Sequence, residues 1–233
     1  MAGPAMNEAA MLEREYATAD RLEARRQNVT GWVRGVEPWV EALAAVAEAR
    51  PHSVLDAGCG DGVFARAVAA PTVVGIDAAP AMVERARSRG VDARLAQIEH
   101  LPFTDGSFDV VVCNWTLYHL QDVGRGLAEL ARVVRPGGRF VGVYNGEGHM
   151  EELWSRVHPA SGPDEDYTAL IDRAFGPVEH RDTVAYTLWE TRSDLELYLN
   201  AFVELLGPLT VPDGPYPFRV TRRNRVYVAE RRA

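Results

Sequence analysis

Glycines and carboxylates cluster where a short strand-like segment of the chain ends. The segment 53–57 carries Asp56 near its end, and the glycine-rich loop 58–62 follows it, just before a helical pattern. Glycine lets the backbone of such a loop approach a ligand closely at the carboxyl edge of a sheet. Asp77 ends the next strand-like segment, where its carboxylate can accept hydrogen bonds from two vicinal ribose hydroxyls. The spacing therefore predicts a nucleotide-type site.

Two kinds of site share this pattern. The dinucleotide fingerprint is Gly-x-Gly-x-x-Gly, whereas residues 58–62 read Gly-x-Gly-x-Gly. Asp56 and Asp61 lie beside the glycines, where they would repel a pyrophosphate but tolerate a sulfonium that carries a free amino group. An NAD-type oxidoreductase with a degenerate loop stays open as the alternative, as does a protein that binds such a sulfonium ligand without catalysing a reaction on it.

The basic residues exclude several enzyme classes. All 25 of them are arginine, and the chain contains no lysine. A phosphate-loop lysine, a Schiff-base lysine for pyridoxal phosphate and the Tyr-x-x-x-Lys pair of short-chain dehydrogenases are therefore excluded. Arginine cannot replace lysine in these roles because its guanidinium stays protonated and is a poor nucleophile.

Composition points to one globular domain that acts on small molecules. The chain has 233 residues, 47% of them hydrophobic, and a formal net charge of −8, which disfavours a nucleic-acid partner. The basic cluster 222–225 is interpreted as a solvated hairpin tip. Two cysteines, Cys59 and Cys113, give neither a disulfide framework nor a metal spacing, so no metal is expected. Without a signal peptide or a membrane span, we expect a cytoplasmic monomer or homodimer with no membrane partner.

Short apolar runs alternate with helical patterns along most of the chain, which is typical of parallel βαβ units. We predict an α/β fold with a doubly wound, mostly parallel, seven-stranded, Rossmann-like sheet, an antiparallel final strand and an N-terminal helical lid. The single domain 1–233 divides into a lid (1–50), a cofactor-binding half (51–146) and a substrate-side half (147–233). Strands are predicted over 53–57, 72–76, 92–96, 108–114, 138–144, 182–189 and 225–230, and helices over 8–27, 37–49, 62–70, 80–89, 122–134, 150–157, 164–175 and 193–206.

Four linked motifs between about 53 and 144 resemble those of the class I S-adenosylmethionine-dependent methyltransferases, in the group similar to the ubiquinone/menaquinone-type enzymes. Their order and spacing along the chain are those of the family. The motifs are Val54-Leu-Asp-Ala-Gly-Cys-Gly-Asp-Gly62, Gly75-Ile-Asp-Ala-Ala-Pro-Ala-Met82, Leu101-Pro-Phe-Thr-Asp-Gly-Ser-Phe-Asp109 leading into Val110-Val-Val-Cys-Asn114, and Leu130-Ala-Arg-Val-Val-Arg-Pro-Gly-Gly138. Leu22-Glu-Ala-Arg25 and Gly31-Trp32 resemble the lid segment of some members.

The resemblance implies S-adenosylmethionine as cofactor, S-adenosylhomocysteine as product, and a role for each matching residue. Gly58 and Gly60 would lie along the methionine part and Asp77 would hold the ribose. Gln97 stands where the family commonly has an acid, although its amide oxygen can still accept a hydrogen bond from the adenine amine. The implied cofactor-binding residues are Asp56, Gly58, Gly60, Asp77, Ala78, Met82, Gln97, Ile98, Asn114 and Arg25. For Met82 and Ile98, ordinary core packing is the alternative.

The acceptor is expected just after the fourth strand of the parallel series. His119 is the candidate base, with Tyr118 as a second catalytic candidate, because the unperturbed pKa of histidine lies close to working pH. The alternative for His119 is a structural histidine that caps the following helix. An aromatic acceptor pocket is predicted from Trp115, Tyr118, Tyr16, Trp32 and Tyr144, with His149 and Trp154 as further members.

The chemistry expected is methyl transfer to an O, N or C atom of a small molecule. Such a transfer is an in-line displacement, which a dry, well-oriented site can accelerate without a dedicated base. The segment Asn114-Trp115-Thr116 is not the Asn-Pro-Pro-aromatic sequence with which some enzymes hold a flipped base. A tRNA or protein methyltransferase, recognisable by a basic surface groove, remains the alternative within enzymes.

Overall fold

The computed structural model describes residues 14–17, 22–23, 33–158, 166–202 and 206–232. Within them lie eight strands and seven α-helices. The strands are β1 Val33–Gly35, β2 Ser53–Ala57, β3 Thr72–Asp77, β4 Asp92–Leu95, β5 Phe108–Val112, β6 Val134–Asn145, β7 Val178–Trp189 and β8 Phe218–Glu230. The helices are α1 Pro38–Glu48, α2 Val63–Ala67, α3 Pro80–Ser88, α4 Val123–Val133, α5 Glu151–Val157, α6 Thr168–Ala174 and α7 Arg192–Asn200.

All eight strands form one sheet in the order β1-β7-β8-β6-β5-β2-β3-β4. Strands β2 to β6 are parallel, and the final strand β8 runs antiparallel between β6 and β7. The predicted doubly wound, mostly parallel sheet with an antiparallel final strand is therefore confirmed. The eighth strand, β1, pairs with β7 and was not predicted, since three residues are too few to show an alternating pattern.

The last two strands are longer than their sequence pattern indicated. Strand β7 has 12 residues and β8 has 13, and they pair along their full lengths from Val178↔Ala229 to Trp189↔Phe218. Residues 222–225 therefore lie in the middle of β8. The interpretation of this basic cluster as a hairpin tip was wrong, because Arg222 and Asn224 point into the protein and alternate with outward side chains.

Helices cover both faces of the sheet, and each face has its own apolar core. The larger core, on the α4 side, includes Leu55, Val111, Leu127, Leu130 and Phe140, all about fully buried. The core on the α1 side is built mainly from the valines of β2, β5, β6 and β8 and from small residues of α1. Continuous burial of these strands is what a sheet covered on both faces requires.

Helix α1 begins at Pro38 and belongs to a core layer. Ala42 and Ala45 are fully buried against the strands, so the prediction that residues 37–49 form part of a lid was wrong. Small side chains on this face let α1 approach the sheet closely, and this packing fixes the position of the helix. The other predicted lid helix, 8–27, lies largely outside the described residues.

A third apolar cluster packs against the last residue of β7 and the first residues of β8. Helices α5 and α7 pack there around Trp189, which is fully buried, with Leu153, Leu195 and Phe218 beside it. This cluster fixes the start of β8 and the segment before α5. No helix in the described part of the chain is long and apolar enough to cross a bilayer.

Candidate functional site

A cavity of about 1180 Å³ opens at the carboxyl edge of the sheet. This volume exceeds the roughly 300–1,000 Å³ of a typical small-molecule site, so two ligands can lie side by side. The cavity brings together most of the predicted site residues. Those that line it are Asp56, Gly58, Gly60, Asp77, Ala78, Met82, Gln97, Ile98, Asn114, Trp115, Tyr118, His119, Tyr16 and His149.

Two predicted residues, Arg25 and Trp32, lie outside the described residues, and two others do not line the cavity. Tyr144 is 2% exposed within the α4-side core, where its hydroxyl donates to the carbonyl of Cys113. Its assignment to the acceptor pocket was wrong, because it follows Val143 on β6 and therefore points to the opposite face. Trp154 packs edge-on against Phe202 in the third apolar cluster.

The glycine loop turns under tight steric limits. A Cβ on Gly58, whose φ is +76°, would lie 2.4 Å from Thr116 Oγ1, so packing against the segment after β5 requires glycine there. A Cβ on Gly60 would lie 3.3 Å from Leu22 Cδ2, the only described atom within 4 Å, so this residue is less crowded than Gly58. The Gly60 amide donates to Asp77 Oδ2 at 2.9 Å, which ties the loop to the end of β3.

The Asp77 carboxylate is held at the cavity wall by backbone donors. Its Oδ1 accepts from the Ala79 amide at 2.9 Å, and its Oδ2 accepts from Gly60. Burial raises the pKa of Asp77, while the amides of Ala79, Gly60 and Ala78 oppose that rise. Each carboxylate oxygen has further lone pairs, so vicinal hydroxyls can still bind.

Asp56 is 2% exposed, and its Oδ2 has no hydrogen-bond partner among the described residues. Burial and then the charge of Asp77 raise the pKa of Asp56 to about 7. The Ala65 amide opposes this rise, but a buried carboxylate oxygen without a donor is costly, and a cationic donor in the cavity would relieve that cost. Asp61, by contrast, forms an ion pair with Arg89 Nη2 at 3.0 Å.

The residues predicted to lie beside the adenine include Met82, Gln97 and Ile98, and two of them border both the protein interior and the cavity. Met82 is 1% exposed and Ile98 is 5% exposed, so both pack in the interior and also border the cavity. Ordinary packing and a place beside a ligand are therefore compatible for these two residues. Gln97 precedes the short 3-10 turn Ile98–His100 and lines the cavity.

Asn114 follows β5, and one of the two polar atoms of its side-chain amide has a hydrogen-bond partner. Its Oδ1 accepts from the Val143 amide at 3.1 Å, which fixes the orientation of the side chain. Its Nδ2 is buried without a partner among the described residues, so a donor remains for a carbonyl or carboxylate oxygen in the cavity.

His119 lies in a 3-10 turn, Leu117–His119, at the mouth of the cavity. Its Nε2 is 3.0 Å from the Tyr16 hydroxyl, and the Tyr118 ring packs edge-on at 4.4 Å between centroids. Asp122, not His119, caps α4, since its side chain accepts from the Arg125 amide. His119 is therefore not the N-cap residue of α4.

A group of polar residues, of which only His149 was predicted from the sequence, forms the far side of the cavity. We call it the β8 wall; it consists of Glu37, Asn145, His149, Arg222 and Asn224. These residues come from distant parts of the sequence and meet only in the fold. The inward alternation of Val220, Arg222, Asn224 and Val226 along β8 was the available signal, and the high charge of that segment concealed it.

Hydrogen bonds link the β8 wall internally and to the segment after β5. Asn145 Oδ1 accepts both from the Trp115 indole at 3.3 Å and from Asn224 Nδ2 at 3.1 Å. Arg222 Nη1 donates to Glu37 Oε1 at 2.9 Å. Within the described residues, no group of three or more His, Cys, Asp or Glu side chains is placed to hold a metal ion.

The fold and the cavity together define a class. A doubly wound sheet, a glycine loop after its first parallel strand and an acid that ends the next strand form a Rossmann-like nucleotide site at the carboxyl edge. The loop spacing, the buried Asp56 and the absence of lysine favour a sulfonium cofactor over a dinucleotide.

Comparison with known proteins identifies the family. A family model described as "Methyltransferase domain" matches residues 55–142. Residues 55–142 therefore match the methyltransferase-domain family, and the resemblance found in the four motifs is confirmed.

Two relatives illustrate the match. The malonyl-[acyl-carrier protein] O-methyltransferase of Yersinia pestis is 34% identical over 163 residues, which is 67% of this chain and 53% of that protein. The demethylmenaquinone methyltransferase of Deinococcus radiodurans is 40% identical over 114 residues, 44% of this chain and 47% of that protein. The chain thus spans about half the length of these two relatives.

A solved structure shows the same fold. Phosphoethanolamine N-methyltransferase 2 of Haemonchus contortus, in complex with S-adenosyl-L-methionine, superposes with a TM-score of 0.62 at 16% identity. The superposition covers 96% of this chain and 60% of that one. At this identity the likeness concerns the fold alone.

Proposed function

We propose that the protein binds S-adenosylmethionine at the glycine loop and catalyses transfer of its methyl group to a small molecule bound toward the β8 wall. The observation that carries the proposal is the pair of carboxylates, the buried Asp56 and the half-buried Asp77, that flank the loop and line one cavity. Family membership of residues 55–142 supports the same cofactor.

The residues present fit this cofactor. Asp77 would accept from the ribose hydroxyls, and Gly60 would lie along the methionine part, since both residues line the cavity. The unpartnered Asp56 Oδ2 suits the cationic amino group, and Asn114 Nδ2 offers a donor to the carboxylate of the methionine part. Ala78, Met82, Gln97 and Ile98 would surround the adenine.

When bound, the cofactor supplies an electrophilic methyl group on a sulfonium. The residues of the chain then hold the acceptor in line with that methyl and exclude water, which can provide most of the rate enhancement. Where the acceptor releases a proton, we assign His119 to take it by way of the Tyr16 hydroxyl, since the two groups are 3.0 Å apart and both line the cavity.

Calorimetry of S-adenosylmethionine and S-adenosylhomocysteine binding tests the proposal. Asp77→Asn keeps the shape of the side chain but removes its charge, so we expect the affinity for both ligands to fall by about tenfold or more. Asp92→Asn is the matched control, because Asp92 begins the neighbouring strand β4 at the opposite edge of the sheet. Circular dichroism would verify that both variants fold.

Three results would contradict the proposal: no binding of either ligand to the wild-type protein, tighter binding of NAD, or an Asp77→Asn variant that binds as well as Asp92→Asn. The first two would favour the oxidoreductase or another nucleotide-binding role. The third would mean that the ligand occupies a different place.

A further inference from the structure

Arg222 is a buried cation that neither the family motifs nor the proposed cofactor site uses. Arg222 is only 9% exposed, yet it lines the cavity. Among the described residues that line the cavity it is the only arginine, and the chain has no lysine. A cation placed deep in a wall of a ligand cavity usually has an anionic or strongly accepting partner.

The position of Arg222 in the sheet assigns it to the acceptor end of the cavity. Strand β8 is separated from β2, which carries the glycine loop, by β6 and β5. With about 4.8 Å between neighbouring strands, three spacings make about 14 Å. A group at the glycine loop therefore does not explain Arg222, whereas a second ligand beside it would reach this wall.

The Arg222 guanidinium is held in one orientation, and only some of its hydrogen-bond donors are used. Its Nη1 donates to Glu37 Oε1 at 2.9 Å, and Glu37 stands immediately before α1, whose packing on the sheet fixes it. A guanidinium has five N–H donors in a rigid fork, so an edge remains for a planar, bidentate acceptor. Glu37 also lowers the net charge of the site, which suits a monoanion better than a dianion such as phosphate.

His149 adds no positive charge to this end of the cavity. Its Nδ1 is 2.6 Å from the Arg223 carbonyl, which can only accept, so Nδ1 carries a proton, and in the neutral ring Nε2 carries none. Burial first, and then the charge of Arg222, lower the pKa of His149 to about 4, although the Arg223 carbonyl and Glu152 oppose the fall. Near neutral pH, the cationic charge of the β8 wall therefore belongs to Arg222.

The surroundings of Arg222 leave space for an apolar body. Trp115, Met150, Tyr198 and Phe202 also line the cavity. The Met150 amide donates to the carbonyl of Thr221, the residue before Arg222, and Tyr198 contacts both Met150 and Phe202. We propose that Arg222 is a specificity-determining residue that binds the carboxylate of an organic-acid acceptor whose body is apolar and about ring-sized. This inference rests on the proposed function, because it takes the glycine loop to be the cofactor end of the cavity.

Calorimetry with defined acids tests the proposal. The probes are phenylacetate, 3-phenylpropionate and indole-3-acetate, each beside its neutral primary amide, with phenyl phosphate as a dianion. Each is titrated into the protein alone and into protein saturated with S-adenosylhomocysteine. For the wild type we expect at least one acid to bind about tenfold more tightly than its amide, the effect of a charge-assisted hydrogen-bonded pair.

The variants separate Arg222 from general charge. Arg222→Gln should abolish the preference for acids over amides, whereas Arg223→Gln should keep it, because Arg223 is the next residue on β8 and is exposed on the other face. Should the unpaired Glu37 prevent Arg222→Gln from folding, the double variant Glu37→Gln with Arg222→Gln removes that charge and is tested in its place.

The proposal is overturned when no acid exceeds its amide by about tenfold, which includes the absence of any binding. It is also overturned when the preference survives in Arg222→Gln or when phenyl phosphate binds more tightly than every acid. These outcomes are distinct from a failure of the proposed function, which would appear as a lack of S-adenosylhomocysteine binding in the same titrations, while acid binding to the unliganded protein is still measured.

Discussion

The glycine-loop side of the cavity and the β8 wall are built in different ways. On the glycine-loop side, the site residues are close together in the sequence, between the end of β2 and the end of β3, and backbone hydrogen bonds largely fix them. These residues are Asp56, Gly58, Gly60 and Asp77. In the β8 wall, Glu37 and Arg222 are 185 positions apart and meet through a single ion pair. A ligand common to many enzymes suits the first kind of construction, and a ligand particular to one enzyme suits the second.

The largest effect expected from this contrast concerns Asp56, whose burial makes the glycine-loop side costly without a ligand. With a folded-state pKa of about 7 against an ordinary 3.8, the protein binds a proton more tightly when folded, so it loses stability as pH rises from about 4 to 7. Asp56→Asn has no such loss. We expect the unliganded variant to be more stable than the wild type at pH 8 by up to about 4 kcal/mol, and similar near pH 4.

Urea denaturation at pH 4.5, 6 and 8 measures this difference, and calorimetry on the same samples should show weaker S-adenosylmethionine binding to Asp56→Asn. Asp109→Asn provides the opposite case. Arg135 holds the pKa of Asp109 down at about 2, so this variant should be less stable than the wild type at pH 8. A wild type that is more stable than Asp56→Asn at pH 8 would refute the account of Asp56.

The next effect tests whether the glycine loop depends on the segment after β5. Gly58→Ala would place its Cβ 2.4 Å from Thr116 Oγ1, and its φ is positive. We expect the free energy of unfolding to fall by about 3 kcal/mol. Gly90→Ala is a matched control, since Gly90 also has a positive φ, of +84°, but a Cβ there meets no described atom within 4 Å.

Gly90→Ala should cost only about 1 kcal/mol, which is the backbone term alone. Both values come from urea denaturation at pH 8. Equal losses in the two variants would show that the contact with Thr116 contributes nothing, and that the loop is independent of the acceptor side.

The smallest effect concerns the proton path at the acceptor side. Tyr16→Phe removes the hydroxyl that lies 3.0 Å from His119 Nε2, so we expect the rate of S-adenosylhomocysteine formation to fall about fivefold and its pH profile to shift. Tyr186→Phe, on β7 under the Arg219 guanidinium, is the control. An unchanged pH profile in Tyr16→Phe would remove Tyr16 from the proton path and leave it a purely structural role.

What the sequence predicted well depends on local pattern. Strand β2 and the loop after it were predicted at their observed bounds because strand, glycine loop and helix signals are contiguous there. Strand β1 was missed because it is three residues long and exists only by pairing with β7.

What the sequence could not predict depends on contacts between distant residues. Tyr144 and Arg222 show the limit most clearly: an aromatic residue near the site turned inward, and a residue of an apparently solvated cluster turned toward the cavity. Both outcomes depend on which face of a long strand each side chain occupies, and this is decided by the register of β8 with β6 and β7.

Asn145 connects the two sides of the cavity through one oxygen atom, which accepts from Trp115 after β5 and from Asn224 on β8. The separation between these strands is thereby fixed at two strand spacings, about 10 Å. If the proposed function holds, an organic acid bound to Arg222 would have to extend its nucleophilic atom across that separation to reach the methyl group of the bound cofactor. The rigid sheet would thus select acceptors by molecular length as well as by charge.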